Sequence, residues 1–272
     1  MTTTGLEVRI HEGRERAEVS RVTTTLNDVV LSLREIDRVH LLRATRATWV
    51  LADMRRESAD LVVRLEARAE VQQRALADIM VPVDALVEGV KELQAQASVP
   101  PLFAPQTVSR VGKLAMPRNG IQSVGLATYN GAVGPNVALD NNVKTNADIA
   151  VKPFEVTWGT VTGRLTSLHD YSKRRQGTLR VTLRTPDGHA AYGYVQEAMS
   201  DVLRAAWAHR VICSGKMKRN SRGQAIAIEV ESIELMPEDD RGRPRTDDLL
   251  GIAAGWLGDL TVDQFIDGLR DA

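Results

Sequence analysis

The chain has 272 residues, 43% of them apolar and 26% charged, enough to bury a core in one large domain or in two ordinary ones. Its formal net charge of zero argues against a protein coated in positive charge for indiscriminate nucleic-acid binding. It has no run of about 18 apolar residues to span a bilayer, and MTTTGLEVRIHEGRER lacks the apolar stretch of a secretory signal, so the expected location is the cytoplasm.

In chain order, LEVRI (6–10) predicts a short strand. Val22, Leu26, Val29, Leu33 and Ile36 then fall at spacings of three and four, which predicts an amphipathic helix of about six turns. TWVLADM and DLVVRLEAR are β-branched runs separated by Arg55, Arg56, Glu57 and Ser58, a hairpin pattern. Pro82 is expected to open a helix with the apolar stripe Val83, Leu86, Val87, Val90 and Leu93. Pro105 is expected to open another carrying Val108, Val111 and Leu114. SVPPLFAP reads as a stiff connector, IQSVGLAT and NVALD as strands, and DNNVKTNADIAVKPFE as a polar, irregular stretch. Residues 1–153 are therefore expected to form an α+β interaction domain with an antiparallel sheet.

From residue 154 the texture changes. TWGTVTGRLTSLHD predicts a long strand with glycines at 159 and 163; GTLRVTLRT alternates Leu179, Val181 and Leu183 against Arg180, Thr182 and Arg184; a Pro-Asp-Gly-His turn leads into AYGYV. QEAMSDVLRAAWAHR predicts a helix with Met199, Val202, Leu203, Ala206 and Trp207 on one face. RVICSGKMK and AIAIEVESIELM follow as two strands joined at Arg219, Asn220, Ser221, Arg222 and Gly223. The single cysteine, Cys213, lies in the first of these two strands; it reads as a buried residue, and it leaves no internal disulfide or cysteine-rich metal site. Residues 238–272 begin with the charged linker EDDRGRPRTDD and end in an amphipathic helix in which Thr261 and Gln264 have capping-box spacing.

The order β-β-β-α-β-β over residues 154–237, with a glycine-bearing first strand, resembles an OB fold, the five-stranded Greek-key barrel. No specific family is recognised. The overall class is thus α+β: an N-terminal domain with an antiparallel sheet, an OB-like barrel with one helix, and a C-terminal helical tail. The resemblance implies ligand binding across the second and third strands, between the loop joining strands one and two and the loop joining strands four and five. Those loops hold Tyr171, Lys173, Arg174 and Arg175, and Lys218, Arg219 and Arg222; the strands add Arg180, Arg184, Tyr192 and Tyr194. Tyrosine rings stack on bases and guanidinium groups follow phosphates, so these residues are candidates for a single-stranded nucleic acid or nucleotide. A solvated surface or a protein contact fits the same residues, since turns are commonly basic.

Charge is distributed unevenly: residues 157–236 carry a net +5 and residues 237–272 a net −5. The acidic end with an apolar tip is similar in outline to bacterial single-strand-binding proteins, from which it departs by a capped helix and Trp256. Trp256, Leu257, Phe265, Ile266 and Leu269 are the candidate contacts to a protein partner. Arginine outnumbers lysine 28 to 7, a composition that fits a GC-rich bacterial or phage genome.

The five histidines, His11, His40, His169, His189 and His209, show no HExxH pairing and no zinc spacing. No GxSxG, GxxxxGK[ST] or GxGxxG motif is present, so neither a metal, a cofactor nor a catalytic residue is indicated. The leading expectation is a non-enzymatic adaptor binding single-stranded nucleic acid or a nucleotide. A protein-assembly subunit comes second, and an enzyme whose carboxylates are brought together only by the fold comes third.

Overall fold

The computed structural model describes residues 4–13, 16–40, 47–68, 76–117, 120–170, 175–186 and 188–236. Residues 1–236 belong to one compact unit that holds two five-stranded sheets. The expected C-terminal helix, with Trp256, Leu257, Phe265, Ile266 and Leu269, lies outside the described residues.

The first sheet is built from β1 (Thr4–Glu12), β2 (Thr48–Glu57), β3 (Asp60–Arg68), β4 (Ile121–Asn130) and β5 (Val137–Leu139). Its order is β2-β3-β1-β4-β5 and every pairing is antiparallel, as the sequence suggested. Strand periodicity puts Leu6, Val8 and Ile10 of β1 and Leu61, Val63 and Leu65 of β3 on one face, where they are buried. Four helices cover that face: α1 (Val19–His40), α2 (Leu76–Ala95), α3 (Pro105–Leu114) and α4 (Asn141–Ala150). The stripes read from sequence are the buried ones, Val29, Leu33 and Ile36 on α1 and Val83, Leu86, Val90 and Leu93 on α2. Each such side chain contributes about 1.5–3 kcal/mol by leaving water.

Three local expectations are corrected. Pro82 does not open α2 but sits inside it as its seventh residue, so the helix forgoes one backbone donor there. Ile79, in the preceding turn, is buried, as are Val83 and Leu86 after it. Arg55, Arg56 and Glu57 belong to β2, and the hairpin turns at Ser58 and Ala59, Ser58 taking a φ of 56°. The stretch after Asp140 is not irregular: it forms α4, whose first turn is closed by Asp140 Oδ1 accepting the Val143 N–H at 3.0 Å.

The second sheet comprises β6 (Glu155–Asp170), β7 (Thr178–Arg184), β8 (Ala190–Gln196), β9 (Arg210–Arg219) and β10 (Ala225–Leu235). It closes in the order β10-β8-β7-β6-β9, with β10 parallel to β8 and all other neighbours antiparallel. Five strands in this circular order, with a helix between the third and fourth, make an OB fold. Gly163 marks the bend where β6 leaves β9 and joins β7. A Cβ there would stand 2.8 Å from the Arg184 carbonyl oxygen, so the close approach needs glycine. Inside the barrel Val161, Leu165, Val181, Leu183, Val195, Cys213 and Ile228 pack together, and Leu203 joins them from α5 (Ser200–Ala205). That helix is shorter than expected. A 3-10 turn (Glu197–Met199) precedes it, and Ala208 reverses the chain with a φ of 62°. The apolar face is cut short accordingly: Leu203 and Ala206 are buried, while Val202 and Trp207 are exposed.

Candidate functional site

The outer face of β7 and β8, the face the resemblance pointed to, is taken up by the chain itself. Tyr192 is 7% exposed. Its hydroxyl accepts the Gln106 backbone N–H at 3.1 Å and donates to Gln106 Oε1 at 3.3 Å. Val39 at the end of α1 and Ala104 at the start of α3 pack beside it. Burial first, and then the Glu35 charge, push its phenol well above the ordinary value. The Arg180 guanidinium lies 4.7 Å from the Tyr192 ring centre, and Arg184 Nη1 donates to the Val39 and His40 carbonyl oxygens at 3.3 and 3.0 Å, capping the end of α1. Tyr192 therefore offers no open ring face to a base in this arrangement. Tyr194, its neighbour on the same side, is half-buried against that junction.

The loop between β9 and β10 is fixed by amide side chains. Asn220 Nδ2 donates to the Ala150 carbonyl at 3.0 Å and to Gln224 Oε1 at 2.8 Å, while its Oδ1 accepts the Arg222 and Gln224 N–H groups. Gln224 pairs with both backbone polar groups of Val99, and Gly223 takes a φ of 76° that closes the turn. Arg219 donates to the Gly223 carbonyl at 2.5 Å. Arg219 and Arg222 line a cavity of about 450 Å³ at the barrel mouth, together with Thr160, Thr185 and His189.

Two of the sequence candidates meet. Arg175 follows β6 and Lys218 lies near the end of β9, yet both reach Glu229 Oε1 on β10, at 3.3 and 3.7 Å. These are exposed ion pairs, each worth at most about 1 kcal/mol, so Glu229 orients the cations more than it stabilises the fold. Tyr171, Lys173 and Arg174 lie outside the described residues.

A feature that went unread in the sequence lies on the other side of the barrel. Phe154, just before β6, and Val156 and Trp158 at its start alternate along the chain and are 78%, 58% and 63% exposed. Cross-strand register sets Lys218 opposite Val156 and Lys216 opposite Trp158 on β9. The row continues sideways, because Lys216 pairs with Glu229 and Glu229 with Tyr194. Two exposed aromatic rings, an aliphatic side chain and two lysines thus share one open barrel face. The signal was present in FEVTW. Apolar residues occupy positions 154, 156 and 158 but then 161 and 165, and a strand of period two cannot bury both sets.

Among the described residues, no group of three His, Cys, Asp or Glu side chains could hold a metal ion, and no helix is long and apolar enough to cross a membrane.

No family model matches the chain, and no curated protein does. Among solved structures it is similar to a chain in the crystal structure of the S. pombe Stn1-ten1 complex, at 17% identity and a TM-score of 0.23. The match covers 34% of this chain and 63% of that one. A likeness that slight carries no weight here; the OB assignment rests on strand order.

Proposed function

We propose that the protein is a binding module that holds single-stranded nucleic acid on the outer face of β6 and β9. The observation that supports this is the exposed row Phe154, Val156 and Trp158 beside Lys216 and Lys218. Large apolar side chains left contiguous on a surface generally mark a contact site. Rings interleaved with cations suit a strand whose bases stack while its phosphates seek positive charge. The net +5 of residues 157–236 favours such a ligand, with Arg175 at one border of the face and Arg219 and Arg222 at the barrel mouth. Relative to the expectation from sequence, the stacking role moves from Tyr192 and Tyr194 to Trp158 and Phe154.

Fluorescence anisotropy of a labelled oligonucleotide with the full chain tests this. Base stacking is worth about 1–3 kcal/mol per ring, so Trp158→Ala is expected to weaken binding by about 5- to 150-fold. Lys216→Ala and Lys218→Ala together should lower the slope of affinity against salt. Affinity unchanged in both variants would refute the proposal.

A second function, docking of a protein partner on the same row, is favoured by Val156, which has no ring to stack. It predicts an affinity that depends on Val156 and hardly on salt.

A further inference from the structure

Arg110 occupies an unusual position for an arginine. It lies on α3 at 9% exposure, its Nε is 3.8 Å from Asp28 Oδ1, and its Nη1 is buried without a hydrogen-bond partner. A guanidinium stays charged at all ordinary pH, so a buried N–H with nothing to receive it is costly to the folded state. The same residue forms one wall of a cavity of about 380 Å³. Arg34, Glu35 and Arg38 form another, since their spacing of one, three and four places them on a single face of α1; Thr48, at the start of β2, completes the rim. Among the described residues, three guanidinium groups therefore line this space with one carboxylate. That carboxylate, Glu35, is shared with Arg38, its Oε2 lying 3.8 Å from Arg38 Nη1. Arg38 also meets His169 Nε2 at 2.8 Å.

We infer that this cavity is a binding site for a small phosphate compound, with Arg110 as the buried anchor and Arg34 as the solvent-facing clamp. The cationic lining suits an anion, and the guanidinium fork fits phosphate oxygens in pairs. The volume exceeds what a lone phosphate fills, leaving room for the group it is esterified to. The site is separate from the β6 and β9 face, so it stands or falls independently of the nucleic-acid proposal.

The test is calorimetric titration of the full chain with pyrophosphate at constant ionic strength, beside inorganic phosphate and sulfate as probes. Wild type is expected to show saturable binding with a Kd of about 1 mM or tighter and a Tm that rises with pyrophosphate concentration. Sulfate should bind more weakly than pyrophosphate, which carries more charge and a second phosphoryl group. Arg34→Gln, at an exposed position, should weaken pyrophosphate binding by about tenfold or more without changing the ligand-free Tm. Arg110→Met should abolish binding while leaving the ligand-free Tm equal or higher, because it removes a buried Nη1 donor that has no acceptor; a purely structural arginine would give a lower Tm. Trp158→Ala should bind pyrophosphate as wild type does. The inference is overturned if wild type shows no saturable heat up to about 10 mM, if sulfate binds as tightly as pyrophosphate, or if Arg34→Gln and Arg110→Met both bind normally.

Discussion

Glu7 sits on the helix-free face of the first sheet, fully buried beneath Arg9, Arg55 and Arg64, whose nearest nitrogens lie 2.9, 3.2 and 3.3 Å away. Arg64 in turn covers the Tyr129 ring at 3.8 Å. Burial alone would raise the Glu7 carboxyl, but the arginine hydrogen bonds outweigh it and hold it below its ordinary 4.5. Glu12 is lowered as well, first by Arg56, against an opposing contribution from burial. A depressed folded-state value means that both carboxylates contribute their full stabilisation above pH 4.5 and lose it as the pH falls through the lowered values. Wild-type Tm should therefore decline below that pH. Glu7→Gln, which leaves three cations facing one another, should cost about 2 kcal/mol at neutral pH and flatten part of the acid decline, both readable in thermal melts. Cys213 gives a second check at this scale. Burial pushes its thiol up to about 12, so iodoacetamide at mildly alkaline pH should label it only after denaturation; rapid labelling of the folded chain would place it elsewhere than the barrel interior.

At the scale of elements, what the sequence made legible was what periodicity alone can report. Helix α1 and the strands of both sheets came from spacings of 3.6 and 2, and the barrel from the order of its elements. Helix α4 was overlooked because its stripe is thin: Val143, Ala147 and Ala150 are its buried residues, two of them alanines, among Asn, Lys and Thr. The legible signal was Asp140, a capping residue three positions before Val143. Asp140→Ala should cost about 1 kcal/mol in chemical denaturation, and no measurable loss would mean that packing rather than the cap sets the helix start. The β6 row was missed for a different reason. Alternation announces which residues share a side of a strand, but whether that side faces core or water depends on where the strand bends, here at Gly163, and on the partners supplied by β9 and β7.

At the scale of the whole molecule, the first sheet with its helices and the barrel share a junction that no local pattern reveals. Arg184 caps α1, Tyr192 binds Gln106, Gln224 binds Val99, and Ile226 of β10 is buried with the core of the first sheet. The junction covers β7 and β8 and leaves the β6 and β9 side open, which is why Tyr192 looked like a platform in sequence and is enclosed in the fold. Coupling through these contacts predicts a single calorimetric unfolding transition for both sheets; two well-separated transitions would show the junction to be weak. The most direct test of where a ligand strand lies is photo-crosslinking of a 5-bromouridine oligonucleotide to the full chain, followed by mass-spectrometric mapping. Adducts are predicted on the peptide carrying Phe154 and Trp158. Adducts confined to β7 and β8, or none at all, would contradict the account.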